Sequence, residues 1–262
     1  MKRSLIALSA SEIPSAMHPL IDGARIYDSS CSPVARVYYI DEDCGYYLKR
    51  SPKGSLEREA AMTRYFHSKG LAAKVVEYFA EGEFDWMLTE RVSGEDCTHR
   101  EYLSDPKRLC DTLAVLLREL HEENGEGCPV SDRMKAYLST LENNYAKGEY
   151  DLSYLSSRLS KMTAGEAYAY VEANKGAFKS DTLLHGDYCL PNVMLDNWSF
   201  SGFIDLDGAG VGDRHVDLFW GAWTLNFNLK TDEYRERFFD AYGRDRVDRD
   251  MIDLVSAAEV FG

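Results

Sequence analysis

No apolar run in this sequence approaches the 18 or so residues of a membrane-spanning helix, so it offers no candidate span. It has no C-x-x-C pair either. Its six cysteines (Cys31, Cys44, Cys97, Cys110, Cys128 and Cys189) lie far apart, with no Cys/His clustering at zinc-ligand spacing. That excludes a zinc ribbon or a disulfide scaffold, and the cysteines read as reduced core thiols of a cytoplasmic protein. Basic residues are scarce: 30 Lys and Arg against 44 Asp and Glu give a formal charge of −14. Such a surface repels phosphate backbones, which argues against nucleic acid as a partner and favours a cationic one. Internal repeats and low-complexity tracts are also missing, which excludes collagen-like and disordered classes. The opening Met1-Lys2-Arg3 and Leu5-Ile6-Ala7-Leu8 resemble a signal peptide only faintly, because serine interrupts the apolar stretch and Glu12 and Pro14 follow it. What is present is 262 residues with 45% hydrophobic and 28% charged side chains, enough to bury a core as one large domain or two smaller ones.

The pattern changes character along the chain. Arg36–Ile40 and Tyr46–Lys49 are aromatic and β-branched runs separated by an acidic turn ending in Gly45, which predicts a hairpin. A helix is predicted over 55–69 with Gly70 as its stop, then strands at 74–78 and 86–90 and a hinge at Ser93-Gly94. Beyond it, Asp105-Pro106 opens a helix in which Leu109, Leu113, Leu116, Leu117 and Leu120 recur at helical spacing. Further helices are predicted near 131–147, 164–174, 215–228, 231–242 and 248–260, interrupted by strand-like pieces at 182–185 and 200–205. The layout is α+β: a small β-rich lobe over residues 1–92 with one main helix, and a larger, mainly helical lobe over 93–262 with a short hairpin inside it.

Chemistry concentrates in His185-Gly186-Asp187-Tyr188-Cys189-Leu190-Pro191-Asn192 and in Gly202-Phe203-Ile204-Asp205. A carboxylate after a strand, an amide five residues on, and a second carboxylate ending the returning strand make a metal and phosphate site. Asn192 and Asp205 supply the oxygens that a hard cation such as Mg²⁺ takes, and Asp187 is left to accept a proton from an attacking hydroxyl. Taken singly, Asp187 could cap a turn and Asp205 could end a surface strand. Their combination with Gly186, Pro191 and the apolar strands is what points to catalysis.

H-G-D-x-x-x-x-N followed by an I-D carboxylate resembles the aminoglycoside phosphotransferases, relatives of the protein kinases, and in particular their 3'-phosphotransferase branch. The resemblance implies a two-lobed, protein-kinase-like fold, with ATP and Mg²⁺ as cofactors. On that template Asp187 is the catalytic base and Asn192 and Asp205 are the magnesium ligands. It also calls for a strand lysine on the phosphates and a helix glutamate to hold it. Lys49 follows Tyr46-Tyr47-Leu48, and Glu59 shares a helical face with Leu56, Met62 and Phe66, where a carboxylate needs a cation; a solvated Glu59 and a snorkelling Lys49 are the alternative. Ser29-Ser30-Cys31-Ser32-Pro33 is no Walker A loop; it resembles the family's serine-containing loop, placing Ser32 over the β-phosphate. Tyr47 matches a tyrosine that stacks on adenine, though core packing is an equal alternative for a strand aromatic. Glu90 to Val92 would be the linker that reads the adenine edge, with Met194 and Ile204 as the pocket floor. His185 and Asp217 would brace the catalytic segment, and the histidines in general read as structural.

For the substrate, the resemblance implies a cationic aminoglycoside and no membrane or nucleic-acid partner, handled by a monomer or weak homodimer. Acidic contacts are expected from Glu149 and Asp151 before the catalytic segment and from Glu259 with Phe261 near the end, where Ala258 replaces one acid of the family pattern. Asp207 stands where relatives carry glycine and adds a negative charge near the metal ligands. A kinase of another small hydroxylated metabolite, or a silent nucleotide-binding module, remain alternatives on the same scaffold.

Overall fold

The computed structural model describes residues 3–8, 12–31 and 34–262, with Leu20 described by its backbone alone. In chain order its elements are β1 (Ser4–Ile6), α1 (His18–Ile21), β2 (Arg25–Asp28), β3 (Arg36–Asp41), β4 (Tyr46–Pro52), α2 (Glu57–Ser68), β5 (Val75–Glu81), β6 (Phe84–Glu90) and β7 (Glu95–Asp96). Then follow α3 (Arg100–Leu103), α4 (Pro106–Glu122), α5 (Arg133–Lys147), α6 (Ala164–Asn174), β8 (Thr182–Leu184), β9 (Val193–Asp196), β10 (Ser199–Phe203) and β11 (Gly210–Gly212). Three helices end the chain: α7 (His215–Leu229), α8 (Tyr234–Gly243) and α9 (Arg249–Glu259). No helix among the described residues is long and apolar enough to cross a membrane.

Two compact units result, one of residues 1–96 with 193–207, the other of 97–192 with 208–262. The boundary expected at 92/93 therefore falls four residues later, and the β9–β10 hairpin counts with the first unit, whereas the sequence groups it with the helical lobe. The reason is backbone pairing: β7 pairs with β9, and the Phe203 N–H donates to the Leu71 carbonyl at 2.8 Å.

The first unit is built on an antiparallel sheet of order β1-β2-β3-β4-β6-β5. Alternation along β4 decides what each face does. Leu48 joins Tyr38, Ile40, Trp86 and Leu88 in a core closed by Ile13 and Met17. Tyr47 and Lys49, one residue to either side, point to the opposite face, where Met87 meets Leu56 and Ala60 beside α2. The β3–β4 turn needs Gly45, whose φ of +85° suits a residue without a Cβ.

In the second unit, α4 starts as the sequence predicts, with Asp105 accepting the Arg108 N–H and Pro106 in the first turn. Leu109, Leu113, Leu117 and Leu120 are buried, each contributing about 1.5–3 kcal/mol relative to exposure, while Leu116 is only half-buried. Helices α5, α6, α7 and α9 share a core that includes Met134, Leu141, Val171, Val216 and Val255. Strand β8 pairs antiparallel with β11, fixing where the chain leaves β8. The cysteines divide: Cys97, Cys110, Cys128 and Cys189 are buried thiols, but Cys31 and Cys44 are exposed, correcting the expectation that all six lie in the core.

Candidate active site

In the first unit the side chains gather around Lys49. Glu59 lies on the turn of α2 facing β4 and is only 4% exposed. The Lys49 ammonium donates to Glu59 Oε1 and Oε2 (2.9 and 2.7 Å) and to Asp205 Oδ1 (2.9 Å). Burial opposes the charge on Lys49, but the Glu59 and Asp205 carboxylates outweigh it and hold the ammonium above the usual lysine range. Burial also lifts Glu59 above the usual carboxylate range, against the pull of Lys49 and with help from the nearby charges of Asp205 and Asp207. The cluster thus carries excess negative charge that an added cation would relieve. Asp205 sits in left-handed backbone (φ +60°), a conformation that costs a residue with a Cβ about 1–2 kcal/mol. Asp207, which stands where relatives carry glycine, does not have a positive φ; it lies in the 3-10 turn Leu206–Gly208.

The other expected nucleotide residues fall in this unit too. Tyr47 is half-buried beside Tyr39 (ring centroids 5.2 Å apart), and its hydroxyl accepts an N–H from Arg3 at 2.7 Å. Glu90 ends β6, its N–H donating to the Lys74 carbonyl, and Val92 is buried in the connection that follows. Met194 is buried on β9, and Ile204 precedes Asp205. Ser32 and Pro33 lie outside the described residues. In the same loop, the Ser30 hydroxyl accepts the Val37 N–H (3.0 Å) and Asp28 accepts the Ser30 N–H (2.9 Å).

In the second unit the segment after β8 is held from behind. Asp217, fully buried in the first turn of α7, accepts the N–H groups of His185 and Gly186, both at 2.7 Å. His121, from the end of α4, lies 3.2 Å from the same carboxylate and 2.8 Å from the Tyr242 hydroxyl. Burial pushes the His121 imidazole below its ordinary value and so favours the neutral ring; because a carboxylate only accepts, that ring donates from Nε2 to Asp217 and leaves Nδ1 to accept from Tyr242. Gly186 has φ +84°, and a Cβ there would overlap the Gly208 carbonyl. Glycine is therefore required one residue before Asp187.

Asn192 then fixes Asp187: its amide N–H groups reach the Asp187 carboxylate (2.8 Å) and the Asp187 carbonyl (3.0 Å). Both amide protons are used, so the oxygen Oδ1 is what Asn192 presents elsewhere, as a hard-cation ligand must. Asp205 likewise keeps Oδ2 while Oδ1 meets Lys49. Each of these oxygens, one in either unit, is by itself a hard donor of the kind Mg²⁺ takes. Among the described residues no three or more His, Cys, Asp or Glu side chains gather where they could hold a metal ion.

Asp187 opens on a pocket of about 360 Å³ within this unit, lined also by Arg133, Tyr137, Trp220, Ala258 and Glu259. The Tyr137 hydroxyl donates to Glu259 Oε1 at 2.8 Å. Burial pushes the Glu259 carboxyl up to about 7, against hydrogen bonds from Tyr137 and Trp220 and with a push from Asp187. Of the four residues expected to meet substrate, only Glu259 lines this pocket. Phe261 is 1% exposed, its ring edge-on to Tyr145 and Tyr168, so it anchors the last turn and its ring offers no contact surface. Glu149 is exposed beside Lys147, and Asp151 caps the turn Leu152–Tyr154 by accepting the Ser153 N–H. Sequence reasoning missed Tyr137 and Arg133; both sit on the α5 face that carries Met134 and Leu141, where periodicity alone reads as core.

Comparison with known proteins agrees with this geometry. The model of the phosphotransferase enzyme family APH matches residues 34–252. The chain is 51% identical to the probable aminoglycoside 3'-phosphotransferase of Lactococcus lactis over 98% of both chains. It is 28% identical to an aminoglycoside 3'-phosphotransferase of Niallia circulans over 82% of this chain and 84% of that one. Its fold matches the crystal structure of a type VIII aminoglycoside 3'-phosphotransferase with a TM-score of 0.74 at 23% identity, covering 99% of this chain and 94% of the other. With a family model spanning most of its length and a relative sharing half of its residues, the chain belongs to the aminoglycoside phosphotransferase family of phosphotransferase enzymes, with their kinase-like α+β fold.

Proposed function

We propose that the protein transfers the γ-phosphoryl group of ATP to the 3'-hydroxyl of an aminoglycoside, with Mg²⁺, as a cytoplasmic monomer or weak homodimer that confers resistance to the drug. The observation that carries this reading is Asp187, held by Asn192 and opening on a pocket with a second carboxylate, Glu259, in its wall. The relatives named as 3'-phosphotransferases support the choice of hydroxyl.

Each residue's part follows from its chemistry. Lys49, kept charged by Glu59, supplies a fixed cation for phosphate oxygens. Asp187 accepts the proton of the attacking hydroxyl and orients it in line with the γ-phosphorus. Asn192 and Asp205 would each offer an oxygen ligand to Mg²⁺, which would supply neutralisation of charge on the phosphate oxygens. Asp217 and His121 keep the backbone under Asp187 from moving as charge redistributes. Glu259 pairs with a substrate ammonium group when it is ionised. ATP as donor is supported by the relatedness in fold to an aminoglycoside phosphotransferase of Streptomyces rimosus solved with ADP and streptomycin.

The test is ADP release from Mg-ATP with a panel of aminoglycosides, simple sugars and amino alcohols. Stimulation by aminoglycosides alone supports the reading, and Asp187→Ala should lower that kcat by 10²–10⁴-fold with an unchanged melting temperature. Stimulation by a sugar or amino alcohol and by no aminoglycoside would overturn the substrate assignment.

A further inference from the structure

Asp207 is not a loose charge beside the metal ligand. Arg58, in the first turn of α2, donates from Nε to Asp207 Oδ1 (3.0 Å) and from an Nη to Oδ2 (2.6 Å). This is the two-pronged arrangement in which arginine binds a carboxylate most specifically. The next residue of the helix, Glu59, holds Lys49, and Lys49 holds Asp205. One helical turn therefore grips both ends of the segment 205–207, at Asp205 through Lys49 and at Asp207 directly. All five residues belong to the first unit.

Charge explains why the grip matters. The cluster holds three carboxylates (Glu59, Asp205 and Asp207) and two cations (Lys49 and Arg58). Asp207 already acts on Glu59 through space, raising its proton affinity. Without Arg58, a bare carboxylate two residues from Asp205 would compete for Lys49 and repel incoming phosphate oxygens.

We infer that Arg58 is a positioning residue: its fork holds the Asp207 carboxylate against α2 and keeps that charge off Lys49 and the bound nucleotide. The inference builds on the nucleotide role proposed above for Lys49 and Asp205. It accounts for how the chain carries a carboxylate at 207. An ordinary exposed ion pair would add little to stability and leave nucleotide affinity unchanged. The roles differ in one respect: here the damage from losing Arg58 comes from Asp207 and should vanish with it.

The experiment is a double-mutant cycle read by calorimetric Kd for Mg-ADP and by KM for ATP. Circular dichroism and the melting temperature without nucleotide check the fold. Arg58→Gln should weaken Mg-ADP binding about tenfold and raise the KM for ATP similarly. Asp207→Asn alone should change either by less than about threefold. The double variant should return to within threefold of the wild type, and Arg58→Lys, keeping charge but not the fork, should fall in between and serves if Arg58→Gln does not fold. An Arg58 variant that binds Mg-ADP within twofold of the wild type, or losses that add in the double variant, would overturn the inference. Failure of the unaltered protein to bind Mg-ADP is a different result, which would overturn the nucleotide reading on which the inference builds.

Discussion

Glu259 shows how much one side chain's surroundings decide. In sequence it is an ordinary acid on an amphipathic helix. In the fold it is almost fully buried, hydrogen-bonded to Tyr137 and facing Asp187, and its carboxyl is pushed up to about 7 from an ordinary 4.5. The folded protein thus keeps this proton to a higher pH than the unfolded chain does. The resulting stability is fully present below about pH 4.5 and is lost as pH rises through about 7, a swing of about 3 kcal/mol. A series of urea melts should show that slope, and Glu259→Gln should flatten it. Under the proposed role of Glu259 ionisation also governs recognition, so the KM for an aminoglycoside should rise as pH falls below 7, with a weaker dependence in Glu259→Gln. A KM independent of pH between 6 and 8 in the unaltered protein would remove Glu259 from substrate binding.

At the scale of elements, the catalytic segment is held by helices that come from distant parts of the sequence. His121 ends α4 and Asp217 opens α7, 96 residues apart, and they meet behind the chain leaving β8. Asp217 also lies where a negative charge suits the helix N-terminus. Asp217→Asn places amide protons against backbone N–H groups, and it should cost about 2–4 kcal/mol and lower kcat at least tenfold. A melting temperature within a degree of the wild type would show that the brace contributes little. The long elements were readable from sequence, because α4 repeats leucine at helical spacing and β3–β4 is a strong hairpin. Strands β1, β7 and β11 were not: two or three residues carry no period, and Gly210-Val211-Gly212 lacks the composition of a strand. Asp187, Asn192 and Asp205 were legible because their spacing is local. The Tyr137–Glu259 contact and the Arg58–Asp207 fork join residues more than 100 apart, and no local pattern announces either.

For the whole molecule, a formal charge of −14 is a statement about association more than about fold. It attracts a polycation and repels a nucleotide, so the two substrates should respond to salt in opposite senses. Raising sodium chloride from 50 to 500 mM should increase the KM for an aminoglycoside severalfold and leave the KM for Mg-ATP unchanged or lower. Equal increases in both would point to a general effect of salt on the protein. In the proposed function the chain's two units carry different shares of the work: the residues proposed for ATP lie in the first, apart from Asn192, proposed as a metal ligand, and the proposed base and substrate pocket lie in the second. Phosphoryl transfer from one substrate to the other is therefore the most direct test of the account. We would incubate the protein with Mg-ATP and kanamycin or its 3'-deoxy analogue and follow ADP release and product mass. ADP release with kanamycin, a product heavier by one phosphoryl group, and no reaction of the 3'-deoxy compound are the predicted results. Equal phosphorylation of both compounds would contradict the 3' assignment, and no reaction with either would contradict the central claim.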